Sequence, residues 1–259
     1  MHWGIAAGIS VPFFGTALGA AGVIFLRGSF RRTLRRSLTG FAAGVMTAAS
    51  VWSLLLPAIE GSSALGSWAF LPAAAGFWSG VLFLLLLDSF TPHLNTHSPD
   101  SGDLSTHSRN NSMMILAVIL HNFPEGMAVG AAFAGVSAGG GVTMAEATIL
   151  ALGIAIQNIP EGAIISLPLR AEGMNRGRAF RMGVLSGAVE PAGAALVLLA
   201  ARVLVPALPW FLSFAAGAMV YVVVEELIPE MCGGEPPRIG ALLFTAGFTV
   251  MMALDVALS

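Results

Sequence analysis

The sequence predicts an all-α integral membrane protein, with eight transmembrane helices in a 3+2+3 arrangement built on an inverted repeat. Three observations lead there. Of the 259 residues 56% are hydrophobic and 10% charged, where a water-soluble domain carries about 25% charged residues. Eight windows reach the roughly 20 apolar residues that a helix needs to cross a bilayer. Arginine supplies all twelve basic residues and gathers on one set of alternate loops. A β-barrel would show alternating strands of about ten residues, and these runs do not alternate.

The windows follow in order. The first, residues 3–26, opens on Met1-His2-Trp3 with no basic n-region and no small-residue cleavage pattern, and it outruns a signal-peptide h-region, so it reads as a retained span. Spans at 38–59 and 67–90 come next. A polar stretch of about 91–112 then forms a cytoplasmic loop. The rest lie at 113–135, 146–168, 180–202, 208–230 and 239–258, so that 1–259 is a single transmembrane domain. Cytoplasmic loops collect arginine, which fixes the parity. With the N-terminus outside, the inner loops hold Arg27, Arg31, Arg32, Arg35 and Arg36, then Arg109, then Arg170, Arg176, Arg178 and Arg181, then Arg238. Only Arg202 is left outside. One span more or fewer would invert the pattern, so both termini are placed outside. Arginine spread this thinly offers no basic face for nucleic acid. The single cysteine, Cys232, excludes a disulfide framework and a thiolate zinc cluster.

Repeats organise the spans. Gly40-Phe41-Ala42-Ala43-Gly44-Val45-Met46 in span 2 returns as Ser213-Phe214-Ala215-Ala216-Gly217-Ala218-Met219 in span 7, each with a proline beyond it, Pro57 and Pro229. Gly80 followed by Leu87-Asp88 in span 3 returns as Gly247 followed by Leu254-Asp255 in span 8. Both pairs cross in opposite senses, the mark of inverted repeats in transporters. Between them, His121-Asn122-Phe123-Pro124-Glu125-Gly126 in span 4 is matched by Gln157-Asn158-Ile159-Pro160-Glu161-Gly162 in span 5. The plan is three spans, a central pair, and three inverted spans.

Chemistry concentrates in the central pair. Residues three or four apart share a helix face, so His121 and Asn122 align with Glu125, and Gln157 and Asn158 with Glu161. Pro124 and Pro160 each remove a backbone hydrogen bond and kink the helix, which is tolerated at membrane depth where freed backbone meets protein or a water-lined cavity. Both clusters fall near the midplane, where secondary transporters bind substrate. A carboxylate there costs on the order of 2.5–3.5 kcal/mol on insertion scales, and spans 4, 5 and 6 carry one each: Glu125, Glu161 and Glu190. No arginine lies at that depth, so the carboxylates are either protonated or neutralised by a cation. Imidazole, carboxylate and amide oxygen together suit a divalent transition metal such as Zn²⁺, Fe²⁺ or Mn²⁺. A proton relay or a hydrogen-bonded polar network is the plainer use of the same residues.

The two hexapeptides, 36 residues apart on adjacent spans, resemble the signature of the ZIP (Zrt-, Irt-like protein) metal transporters. Glu190-Pro191 in span 6 and Glu225-Glu226-Leu227-Ile228-Pro229-Glu230 ending span 7 are similar to its GufA-like bacterial branch. The resemblance extends over essentially the whole chain. It implies zinc-preferring import of divalent metal across the cytoplasmic membrane into the cytoplasm, through a binuclear site. By motif, one metal position would use His121, Glu125, Gln157 and Glu161, with Met46 nearby. The other would use Asn122, Glu125, Asn158, Glu161 and Glu190, so that Glu125 and Glu161 bridge. Many members have histidine where Gln157 stands and some have aspartate where Asn158 stands, and both departures remove a stronger ligand. A first position with one imidazole, two carboxylates and an amide implies loose binding and a range spanning Zn²⁺, Cd²⁺, Mn²⁺ and Fe²⁺ as transported substrates. A homodimer is implied as well, with spans 1, 4, 5 and 6 moving against spans 2, 3, 7 and 8.

Other residues have weaker claims. Met46 serves equally as core filler. The 91–112 loop, with His93, His97 and His107, reads as a polar linker, and the resemblance adds metal capture. Asp88 with His93, and Glu225 with Glu226, suit an inner exit path or a hydrated helix end, while Asp255 has no assigned role. Two other functions reuse parts of the pattern. An intramembrane metalloenzyme would need a His-Glu-x-x-His helix, which the sequence lacks. A proton-coupled organic-cation carrier would use the glutamates and leave His121 and the amides unexplained.

Overall fold

The structure, a computed structural model, describes residues 2–25, 32–90, 122–137, 139, 142–204, 207–233 and 238–258. All regular structure among the described residues is helical. Helix α1 is His2–Phe25, α2 is Arg32–Glu60 and α3 is Phe70–Phe90. Residues 122–137 form α4, and α5 is Met144–Ala171. Helix α6 runs Arg176–Gly187 and continues as Val189–Leu204, α7 is Leu208–Cys232 and α8 is Arg238–Leu258. Seven of these, all but α4, are long and apolar enough to cross a membrane among the described residues. The protein is therefore a multi-pass membrane protein. The expected window 113–135 is covered from residue 122 onward, and its earlier part lies outside the described residues.

Prolines shape the rods in two ways. In α2 the helix widens to π-helical turns over Ser50–Leu55 just before Pro57, and in α7 over Val223–Leu227 just before Pro229. Proline has no N–H for the carbonyl four residues back. The wider turn lets the preceding amide reach five residues back, Leu56 to Val51 and Ile228 to Val223. Helix α6 breaks at Ala188, shortly before Pro191. Helix α5, by contrast, runs without interruption through Pro160 and Pro168. Its start is fixed by a capping box, in which Thr143 Oγ1 accepts from the Glu146 amide and the Glu146 carboxylate accepts from the Thr143 amide.

Small residues set the packing. Glycines four apart occur in α1 (Gly15, Gly19), α2 (Gly40, Gly44), α3 (Gly76, Gly80) and α4 (Gly126, Gly130), the spacing that lets membrane helices meet backbone to backbone. Each pair rests on the backbone of one other helix: α1 on α5 at Ala155 and Ile159, α2 on α8 at Gly240 and Phe244, α3 on α7 at Trp210 and Phe214, and α4 on α6 at Glu190 and Ala194. Contacts advance in the same direction along both partners, so all four pairs are parallel. They also correspond under the internal repeat. Gly44 lies on Phe244 as Gly217 lies on Phe77, and Gly80 on Phe214 as Gly247 on Phe41.

At the end where α2 begins, Arg35 pairs with Glu230 of α7, Thr39 donates to the same carboxylate at 3.2 Å, and Arg36 donates to the Gly233 carbonyl. Three contacts thus join the start of α2 to the end of α7.

Candidate metal centre

The midpoint of α5 carries Gln157 and Asn158, both fully buried, and Glu161, half-buried. Helix α4 adds Asn122 and Glu125, and α6 adds Glu190 two residues past its break, all three buried. Glu125 lies in the field of both Glu161 and Glu190, so acids from three helices come near one another.

Four of the polar side chains are each anchored by one atom. Gln157 donates Nε2–H to Glu125 Oε1 at 2.7 Å. Asn122 donates from Nδ2 to the Ser186 carbonyl and to Glu190 Oε1, both at 3.2 Å; Ser186 belongs to the interrupted turn of α6. A residue absent from the sequence reading, Thr16 of α1, donates its hydroxyl to Glu190 Oε1 at 2.7 Å. The other oxygen of each group has no hydrogen-bond partner among the described residues: Asn122 Oδ1, Glu125 Oε2, Gln157 Oε1 and Glu190 Oε2. Asn158 lies beside Glu125 and Glu190, with neither amide atom in hydrogen-bonding geometry. A buried acceptor left unsatisfied costs about 1–3 kcal/mol, so a cluster of them is stable when something positive completes it.

The glycine closing each hexapeptide has a job in this geometry. A Cβ on Gly126 would run into the backbone of Glu190, and one on Gly162 into the backbone of Thr16 and Ala20. Both glycines bring a helix bearing site residues against the helix that supports it.

Among the described residues no three of His, Cys, Asp or Glu are drawn together tightly enough to hold one ion. The centre described is one of carboxylates interleaved with amides. His121 lies outside the described residues, as do His93, His97 and His107. Met46 is buried at 1% exposure within the apolar core.

Two outlying groups of acids flank the centre. Tyr221 donates to Asp88 Oδ2 at 2.8 Å and sits in the field of Glu225 and Glu226, so α3 and the π-helical turn of α7 pool three carboxylates. Toward the opposite ends of these helices, Asp255 accepts from Ser53 at 2.7 Å and lines a cavity of about 170 Å³ together with Glu60 and Glu146. Sequence reasoning missed Glu60 and Glu146, each close to a helix end where a carboxylate is unremarkable.

Residues 97–255, which include both hexapeptides, match the family described as ZIP Zinc transporter. The chain belongs to the ZIP family. It is 36% identical to zinc transporter ZIP11 of Homo sapiens, with 94% of each chain covered. Zinc transporter ZIPB of Bordetella bronchiseptica is 38% identical over all of this chain and 82% of its own length. Zinc transporter GufA of Myxococcus xanthus is 36% identical, again with 94% of each covered. Thr16 and Met46 precede the segment matched to the ZIP family and fall within the full-length alignment to ZIPB.

Proposed function

We propose that this chain imports divalent metal, zinc foremost, across the cytoplasmic membrane into the cytoplasm. Its path runs through a binuclear centre near the midplane on α4, α5 and α6. One observation carries the reading: four buried side chains are each tied down by one atom and each leave an oxygen without a hydrogen-bond partner among the described residues. Buried oxygen acceptors on neighbouring side chains suit a cation, and the relatives are named zinc transporters. His121, Glu125, Gln157 and Glu161 hold one ion, with Met46 beside it. Asn122, Glu125, Asn158, Glu161 and Glu190 hold the other, the three carboxylates drawing closer together around it than they stand in the structure.

Eight crossings arranged 3+2+3 in a single domain, with both termini outside, complete the proposal. The parallel contact of α2 with α8, and of α1 with α5, supports an even number of crossings between their starts. The tight glycine pairs also fall two within α1, α4, α5 and α6 and two within α2, α3, α7 and α8, which supports movement of these two bodies against each other; a homodimer is carried over from the family resemblance. In this orientation Glu60, Glu146 and Asp255 draw cations into an outer cavity. Asp88, Glu225 and Glu226 receive them inside, beside a cytoplasmic 91–112 loop whose His93, His97 and His107 capture metal.

The decisive experiment is uptake by purified protein in liposomes with Zn²⁺, Cd²⁺, Mn²⁺ and Fe²⁺ in competition. Zinc-dominated uptake is expected, and uptake of none of the four would end the proposal. Two variants refine it. Glu190→Ala is expected to remove one of two bound zinc ions and to slow transport without stopping it, and a structure with zinc showing both sites filled in this variant would refute the assignment. Gln157→His replaces an amide oxygen by a softer, stronger nitrogen donor. Zinc is expected to bind on the order of tenfold more tightly, about 1.4 kcal/mol, with a narrower metal range and slower release. Unchanged affinity and selectivity would mean that residue 157 does not touch metal.

A further inference from the structure

We infer that Thr16 is a positioning residue of the second metal position, its hydroxyl fixing which oxygen of Glu190 meets the ion. The inference rests on the two-ion reading above and adds a residue from α1, the one helix of the α1, α4, α5, α6 body to which no ligand is assigned.

Helical Ser and Thr hydroxyls ordinarily bond back to a carbonyl one turn earlier. In this chain Ser10, Thr47, Thr148 and Thr249 all do so. Thr16 instead reaches across to Glu190 Oε1 at 2.7 Å, and it is fully buried. Its placement leaves little freedom. Gly187 of α6 is so close that an added Cβ would stand 2.8–2.9 Å from Thr16 Cβ, Cγ2 and Oγ1, while the Thr16 backbone lies against Gly162 of α5. A β-branched residue wedged between two glycines has a fixed rotamer, and that rotamer aims its proton at the carboxylate.

The consequence for Glu190 follows from lone pairs. Oε1 accepts from Thr16 and, at 3.2 Å, from Asn122, which uses both of its acceptor positions. Oε2 has no hydrogen-bond partner among the described residues. Glu190 therefore meets a metal through Oε2 alone, held at a set angle by a donor on its far oxygen. A partner of this kind behind a metal ligand is typically worth about 10–100-fold in affinity.

The test is equilibrium titration of the purified full-length chain with Zn²⁺, counting ions bound, for wild type, Thr16→Val and Thr16→Ser. Thr16→Val keeps the shape and removes the donor, so the second binding step is expected to weaken by about 10–100-fold while the first is unmoved. Thr16→Ser keeps the hydroxyl and is expected to restore the second step. Should Thr16→Val fail to insert, Thr16→Ala removes the donor without adding bulk beside Gly187 and carries the same expectation. Two wild-type steps with an unchanged second step in the Val or Ala variant overturn this inference alone. A Ser variant as weak as Val also overturns it, since methyl packing would then be the cause. A wild type that binds a single ion overturns the two-ion reading and this inference with it.

Discussion

Glu125→Ala and Glu161→Ala are each expected to cut zinc uptake by about 30-fold or more, the counterpart of the roughly 2–5 kcal/mol lost when one partner of a buried charge interaction is truncated. Both glutamates are assigned to both metal positions, so either change withdraws charge from two ions at once. Glu125 is buried at 1% exposure, and the charges acting on it among the described residues are the acids Glu161 and Glu190. In the proposed centre the counter-charge is a metal ion, and the variant deprives that ion of a carboxylate. Glu125→Gln sharpens the test, because it preserves size and leaves an amide beside Gln157 while removing the charge. It is expected to fail as Glu125→Ala does. Size-exclusion profiles matching wild type would show that the variants insert and fold. Retention of most of the transport rate in either alanine variant would remove the bridging role.

Gly126→Ala and Gly162→Ala are expected to be nearly as damaging, though neither residue touches metal. An added Cβ at 126 would stand 2.7 Å from Glu190 backbone carbon, and at 162 it would stand 2.8 Å from the Ala20 nitrogen. Ordinary carbon contacts lie at about 3.5–4.0 Å, so each pair of helices must part by about 1 Å. A displacement of that size at a site can cost on the order of 100-fold in rate. Gly4→Ala, where a Cβ meets no atom within 4 Å, serves as the matched control and is expected to transport as wild type does. Wild-type transport by both hexapeptide variants would show that the α4–α6 and α1–α5 crossings do not set the geometry of the centre.

What the sequence made legible was whatever depends on periodicity and spacing. Charges and turn residues bound each hydrophobic run, so helices such as His2–Phe25 and Arg238–Leu258 begin and end within a residue or two of the windows read from composition. Hexapeptide spacing likewise singled out Asn122, Glu125, Gln157, Asn158 and Glu161, and in the structure Gln157 of α5 donates to Glu125 of α4. Contacts between helices far apart in sequence left weaker marks. Thr16 is one of two hydroxyls in α1, and nothing local distinguishes it from Ser10, which bonds to its own helix. Its role appears once α1 is seen lying on α5 and α6. The π-helical turns had a visible cause in Pro57 and Pro229, but proline permits a kink, a break or a widened turn. Pro160 stands within a helix that continues past it. Neighbouring helices decide among these outcomes, and a single chain read in order does not contain them.

Parallel glycine pairing also bears on how the protein is made. Every paired glycine of α1 to α4 rests on backbone from residue 155 or later. At synthesis rates of about 5–20 residues per second, α1 waits on the order of 10 s for the stretch of α5 that it will lie against. During that interval the first half of the chain sits in lipid with its small-residue faces unmated, and Thr16 has no Glu190 to accept its hydrogen bond. Topology is thus committed span by span as the ribosome advances, while packing is committed late, when the second half threads in beside the first. The candidate centre needs residues from both halves up to Glu190, so it can assemble only once α6 has been made, while the pairing of α2 with Gly240 and Phe244 of α8 must come later still.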